Sequence, residues 1–324
     1  MYNQGQLKDI IEKALSGLSY NTEADQLITP VEYVLSIGGK RMRPVITLMA
    51  CNLFSDKIDP ALMPAAGIEV FHNFTLVHDD IMDNAPLRRS LPTVHTKWNM
   101  NQAVLSGDVM AFIANDCFLK SPVKVMPEVF RIFNKAAIEV CVGQQLDMDF
   151  EKKSAVTQEE YLKMICLKTA VLVAASSRIG AVTGGAGKKD SELLYQYGMN
   201  LGIAFQLQDD LLDIYGDTSI FGKIVGGDII ANKKTFLFVK ASETASVKQQ
   251  KRLNELFTMK NPEPHAKVME VMKIYGELNI KEATLKVAKD YVGKALECLE
   301  KTSPAKERKQ ELIELADTML EREK

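Results

Sequence analysis

The strongest constraint on this chain is an acidic run closing an apolar helical pattern, Leu76-Val77-His78-Asp79-Asp80-Ile81-Met82-Asp83. On a helix, Asp79 and Asp83 share one face about a turn apart, with Asp80 about 100° round. Like charges at that spacing destabilise a bare helix by roughly 0.2–0.5 kcal/mol. A cation between them removes the repulsion. Oxygen-only ligands in this arrangement suit Mg²⁺, which takes one or two carboxylates and fills its shell with water and substrate phosphate. Alone, such a run reads equally well as a solvated helix end. A second copy, Asp209-Asp210-Leu211-Leu212-Asp213, follows the apolar run from Gly202 to Gln208. Six carboxylates turned into one cavity would be intolerable without metal. The pair therefore predicts two helices facing each other across a cavity, with Mg²⁺ between them.

The rest of the chain reads at helical period. Leu7, Ile10, Ile11 and Leu15 lie on one stripe, and Leu27, Ile28, Val31 and Leu35 on another that ends at Gly38-Gly39. Further helices are predicted over Val45 to Phe54, Met63 to Asp83, 99–119, 126–149, 157–185 and 189–215. Residues 85–98, with Pro86 and Pro92, read as a loop. Four glycines between 216 and 227 make a flexible loop carrying Lys223, followed by Lys233 and Lys234; the chain then turns helical again. No stretch alternates at period two, and no Ser/Pro-rich linker divides the 324 residues. The reading is all-α: a single helical-bundle domain over 1–324.

A net charge of −2 gives no general case for nucleic acid or an anionic membrane. Five dispersed cysteines without a CxxC pair suit reduced thiols in a cytoplasmic protein. No leader pattern opens the sequence, and its most apolar run, from Ala170, is broken by Ser176, Ser177 and Arg178, so no membrane anchor is expected.

Basic groups complement the acidic pair. Gly38-Gly39-Lys40-Arg41-Met42-Arg43-Pro44 sets three cations after a glycine turn. These suit phosphate oxygens, Arg as a fork and Lys as a point charge; they equally suit a helix C-cap and its dipole. Arg88 and Arg89, on a proline-bounded loop just past Asp83, could close over a phosphate. Lys168-Thr169 opens an apolar helix and could hold phosphate at a cavity mouth or simply snorkel. Gln206, three residues before Asp209, offers an amide oxygen to developing positive charge or to a neighbouring helix. Glu69 and His72 fit the ExxH spacing of di-iron bundles, but the chain lacks the second ExxH that such sites need.

These motifs, in this order, resemble the all-trans polyprenyl (isoprenyl) diphosphate synthases: Gly-Gly-Lys-Arg-x-Arg-Pro, the first DDxxD with its trailing arginines, Gly143-Gln144 with Asp147, Lys168-Thr169, and Phe205-Gln206-x-Gln208-Asp209-Asp210-x-x-Asp213. The resemblance implies packed helices around a deep cavity, usually in a homodimer, and condensation of isopentenyl diphosphate with an allylic diphosphate. It implies three Mg²⁺ per active site, with Asp79 and Asp83 binding two, Asp209 a third, and Asp80 and Asp213 supporting. Arg88, Lys168, Lys223 and Lys233 would hold the allylic diphosphate. Lys40, Arg43, His72 and Arg89 would hold isopentenyl diphosphate. Oxygens of Lys168 (main chain), Thr169 and Gln206 would steady the carbocation. Ser90 departs from the glycine many members have there.

In such enzymes the residues four and five before the first motif floor the elongation cavity. Here these are Thr75 and Phe74, and the bulk of Phe74 predicts a product of fifteen to twenty carbons. Two other readings compete. A terpene cyclase would mix Asn, Ser or Thr with Glu in its second metal motif and would lack Lys40 and Arg43. A non-catalytic regulatory subunit would have lost acidic positions that are all present here.

Overall fold

A computed structural model describes residues 1–20, 23–153, 155–216, 226–259 and 263–320. Among these, the chain is helical almost throughout, with one two-stranded hairpin. They divide into two compact units, each drawn from three stretches of sequence. The first holds Met1–Lys135, Leu172–Tyr195 and Leu299–Leu312; the second holds Ala136–Val171, Gln196–Cys298 and the residues from Ile313.

In the first unit, helix α1 (Gln4–Ser16) starts from a capping box between Asn3 and Gln6 and buries Leu7, Ile11 and Leu15. Helix α2 (Asp25–Ser36) buries Ile28, Val31 and Leu35 and stops short of Gly38 and Gly39. Those two residues have φ of 82° and 143°, which is why glycines end this helix. Helix α3 (Met42–Phe54) is apolar all round and buried nearly throughout, as a central core helix must be. It begins three residues earlier than periodicity suggested. Its last carbonyls are capped from the far end of the chain: Arg308 donates to Asn52 O (2.5 Å) and Leu53 O (2.8 Å) and pairs with Asp56.

Helix α4 (Asp59–Met82) carries the first acidic motif and packs along α6 (Met100–Leu119) through two glycines. A Cβ on Gly67 would lie 2.9 Å from Cys117 Cβ, and one on Gly107 would collide with the His78 ring. Between these helices the expected loop contains strands β1 (Leu87–Arg88) and β2 (Leu91–Pro92), then a one-turn helix, α5 (Val94–Lys97). Elements this short leave no period to read. Arg89 and Ser90 join the strands with φ of 52° and 63°, the two left-handed residues of a type I′ turn. The backbone at Ser90 is thus one that glycine adopts without strain.

The second unit takes the later part of α7 (Met126–Lys152), α8 (Gln158–Ile165) and a π-helical turn at Cys166–Ala170. To these it adds α10 (Lys188–Tyr215) from Gln196 onward. Its core includes Tyr161, Ile165, Leu207, Leu211, Phe236 and Tyr275. The widened turn is gripped from both sides. A Cβ on Gly143 would collide with the Lys168 backbone, and one on Gly202 would lie 2.6 Å from Ala170 Cα. Such π turns cluster at functional sites. After α10 come α11 (Gly227–Ile230), α12 (Phe236–Thr244), α13 (Val247–Thr258), α14 (Pro264–Glu277), α15 (Ile280–Glu300), which belongs to this unit as far as Cys298, and α16 (Lys306–Leu320), which belongs to it from Ile313. Helix α9 (Val171–Thr183) belongs to the first unit. Among the described residues one stretch, Gln158–Thr183, is long and apolar enough to cross a membrane, and 78% of its most apolar window is buried within the protein.

One substitution made at two places has opposite expected signs. A Cβ on Gly180 in α9 would collide with the Thr47 carbonyl of α3, whereas Gly293 in α15 faces open space. Gly180→Ala is expected to lower stability by about 1–3 kcal/mol. Gly293→Ala is expected to raise it by about 0.5–1 kcal/mol. Denaturant midpoints of the two variants check both signs.

Candidate active site

Helix α4 ends on its acidic motif, with the Asp83 N–H donating to Asp79 O at 2.8 Å. The three carboxylates have different surroundings. Asp80 is 4% exposed. It accepts from Arg88 Nε at 2.9 Å on both oxygens and from Nη2 at 2.7 Å. Asp79 is half-buried and Asp83 exposed. The second motif repeats this division. Asp210 is 3% exposed. It accepts from the Tyr161 hydroxyl (2.5 Å), Gln206 Nε2 (3.0 Å) and the Phe236 N–H (3.2 Å). Asp209 is exposed and Asp213 half-buried. Burial pushes the Asp210 carboxyl up to about 8, against those hydrogen bonds. Burial likewise holds the Tyr161 hydroxyl well above its ordinary range, so it stays a donor. In both motifs the second aspartate is buried, while the first and fifth positions are more exposed.

Those positions, Asp79 with Asp83 and Asp209 with Asp213, form all-oxygen donor pairs one helical turn apart, the chemistry that Mg²⁺ takes. Among the described residues no three His, Cys, Asp or Glu side chains close around one point.

The basic motif also divides. Arg41, with φ of 50°, turns its guanidinium inward. It donates to Glu69 (2.6 Å), Glu12 (2.9 Å) and Leu35 O (2.5 Å). Burial works against this charge, but the bonds to Glu12 and Glu69 outweigh it. Arg41 is therefore an anchor, and Glu69 is already committed to it and to Asn73. Arg43 donates from Nη1 to His72 Nε2 at 3.1 Å. A guanidinium cannot accept, so His72 is the Nδ1–H tautomer. Burial, then Arg43, Arg89, Arg88 and Arg41 hold its pKa well below the ordinary histidine value. Arg89 donates to the Gly38 carbonyl, tying the hairpin to the glycine turn. Lys40 is exposed on that turn. Four arginines thus bear on the His72 imidazole.

In the second unit, the predicted catalytic trio is brought together by the π turn. Lys168 Nζ lies 2.6 Å from Asp147 Oδ2. The Thr169 hydroxyl donates to Gln206 Oε1 at 3.0 Å, while Gln206 Nε2 donates to Asp210. The chain Thr169–Gln206–Asp210 thus fixes which end of the amide points where. Lys233 is half-buried, and Lys234 donates to Phe150 O at 2.9 Å. Lys223 lies outside the described residues, as does the C-terminal Arg322-Glu323-Lys324. Phe74 is half-buried, its ring centroid 5.3 Å from Phe71 and 4.8 Å from His78. The Thr75 hydroxyl turns back to His72 O at 2.7 Å.

Sequence reasoning missed Tyr161, Glu12 and the use of Asp210. A tyrosine on an amphipathic helix reads as core, and an acid on a surface helix reads as solvated. The only signal was Asp210 itself, an unneeded extra carboxylate if Asp209 and Asp213 bind metal.

Residues 24–275 match the sequence model of a family described as polyprenyl synthetase. A short chain isoprenyl diphosphate synthase of Methanothermobacter thermautotrophicus is 36% identical over 314 residues, 97% of this chain and 94% of that protein. A geranylfarnesyl diphosphate synthase of Natronomonas pharaonis is 37% identical over 73% of this chain and 74% of its own length. The crystal structure of a geranylgeranyl pyrophosphate synthase matches with a TM-score of 0.95 and 40% identity over 99% of both chains. The all-α fold and these likenesses make the protein a prenyltransferase acting on isoprenoid diphosphates. It belongs to the polyprenyl synthetase family, among the short-chain all-trans members.

His72 gives a pH test. The folded protein resists protonating it, while the unfolded chain takes up that proton near pH 6.5. Stability is therefore expected to fall as pH drops below about 6.5, by up to about 1.4 kcal/mol per unit from this residue. Denaturant unfolding at pH 7.5 and 5.5 should show a shallower fall for His72→Gln than for the wild type.

Proposed function

We propose that this prenyltransferase is Mg²⁺-dependent and condenses isopentenyl diphosphate with dimethylallyl, geranyl or farnesyl diphosphate. The product is an all-trans prenyl diphosphate of fifteen to twenty carbons, with release of diphosphate. The observation that carries the reading is the repeated pattern of burial in the acidic motifs: a buried second aspartate beside more exposed first and fifth ones. Bound through Asp79, Asp83 and Asp209, with Asp213 supporting, Mg²⁺ would supply charge neutralisation of the leaving diphosphate.

The chain's own residues do the rest. Arg88, Lys168 and Lys233 receive the allylic diphosphate; Lys40, Arg43, His72 and Arg89 receive isopentenyl diphosphate. Arg88 keeps Nε and Nη2 on Asp80, and its Nη1 has no hydrogen-bond partner among the described residues. The allylic C–O bond breaks with its electron pair leaving on the diphosphate. The Thr169 hydroxyl, the Lys168 carbonyl and the Gln206 amide oxygen face the allylic cation with preorganised negative ends. The isopentenyl double bond forms the new C–C bond, and the proton then lost goes to the released diphosphate. No protein base is required.

We also read the enzyme as a cytoplasmic homodimer without a membrane anchor. Exposed apolar side chains along α6, Leu105, Phe112 and Leu119, support self-association. A molar mass of one chain by light scattering would remove the dimer.

Relatives are named for more than one product, geranylgeranyl and geranylfarnesyl among them, and the length assigned here rests on Phe74. The test is a product assay with Mg²⁺, isopentenyl diphosphate and each primer, resolved by mass. A dominant fifteen- or twenty-carbon product is expected, lengthening in Phe74→Ala. An unchanged profile in that variant would remove Phe74 as the floor. No turnover with any primer would favour the non-catalytic subunit.

A further inference from the structure

Residues 226–233, ahead of Lys234, are fastened at both ends. Gly226, with φ of 75°, donates its N–H to Asp213 O at 2.8 Å, and the Asp228 N–H donates to Asp213 Oδ2 at 3.0 Å. Helix α11 then closes as a Schellman motif. The Asn232 N–H reaches Ile229 O at 3.1 Å and the Lys233 N–H reaches Asp228 O at 2.9 Å, with Asn232 left-handed at φ 58°. Lys233 thus follows directly from a residue whose conformation must be held.

Helix α14 supplies the hold. A Cβ on Gly226 would lie 2.8 Å from either methyl of Val268. One residue earlier, Lys267 is 2% exposed. Its Nζ lies 2.5 Å from Asn232 Oδ1 and 5.0 Å from the centroid of the Phe257 ring. This is a poor place for an ammonium group. Burial lowers its pKa, and its backbone N–H bonds Glu263 O at the start of α14, where the helix dipole disfavours cations. An apolar side chain of similar length would fill the space without that penalty. What the lysine adds is a donor for Asn232.

We propose that Lys267 is a positioning residue for the diphosphate end of the active site: by holding Asn232 it fixes the turn joining Asp213 to Lys233. The inference rests on the assignment of those two residues to the allylic diphosphate. It predicts a selective defect, since nothing in this segment belongs to the isopentenyl diphosphate cluster.

The test uses the full chain as Lys267→Met, Asn232→Gly and the double variant, with KM measured separately for geranyl and isopentenyl diphosphate. Glycine suits the left-handed position, so Asn232→Gly removes the acceptor and keeps the turn. Each single variant is expected to lose about tenfold in kcat/KM for geranyl diphosphate, with the isopentenyl KM within about twofold of wild type. The double variant should be no worse than either single one, because both remove the same contact. Equal losses for both substrates, tracking a lowered Tm, would reduce Lys267 to a structural residue and overturn the inference. Normal kinetics in Lys267→Met with an impaired Lys233→Ala would also overturn it. If Lys233→Ala itself leaves the geranyl KM unchanged, the underlying assignment fails instead.

Discussion

Like charge crowded into one helical turn is the constraint this protein is built around. Each DDxxD places three carboxylates within five residues, and in each the middle one is withdrawn from solvent onto donors of the protein itself. Asp80 goes to the guanidinium fork of Arg88; Asp210 goes to Tyr161, Gln206 and the backbone of Phe236. The withdrawal ties α4 to the hairpin, and α10 to α8 and the start of α12. It also spares the outer carboxylates the repulsion of a third charge on the same turn. The basic loop divides likewise, with Arg41 drawn inward onto Glu69 and Glu12 while Arg43 meets His72 and Arg89 the Gly38 carbonyl. A buried carboxylate such as Glu69 would be strongly unfavourable without its arginine, so the anchoring pair stabilises the loop only as a pair.

The helices, both acidic motifs and the basic loop were legible in the sequence, because each is written at short range; the grouping of Lys168 and Thr169 with Gln206, 37 residues on from Thr169, came only with the family resemblance. Periodicity places α4 and α10, and i, i+4 spacing places Asp79 with Asp83. What was not legible depends on partners distant along the chain. Nothing local separates Asp80 from Asp79, since their difference lies in Arg88 folding back from the hairpin. Nothing local marks Tyr161, 49 residues from the carboxylate it serves. The three cations of Lys40-Arg41-Met42-Arg43 look alike in sequence, yet one is structural because Glu69 and Glu12 happen to face it. The π turn is similarly hidden: Gly143 and Gly202 carry its signal, and only their shared target, residues 168 and 170, makes sense of them.

That turn joins the second motif to the predicted cation-facing oxygens. Gln206 cannot rotate its amide without breaking a bond at each end, to Thr169 and to Asp210. An oxygen oriented before any substrate arrives needs no reorganisation when positive charge develops, which is where such groups have most effect. The buried aspartate thus acts at a distance of one side chain, by setting the direction of its neighbour's dipole.

The family match runs from residue 24 to residue 275, but two of the contacts described above originate outside it. Glu12, in α1, supplies one of the two carboxylates around Arg41, and Arg308, near the opposite end, caps the last carbonyls of α3. A boundary drawn by sequence similarity alone would therefore cut away the supports of residues it retains. The flanking helices are not appendages to a self-sufficient centre. Any trimmed or transplanted version of this prenyltransferase has to carry them, or replace what each of them neutralises.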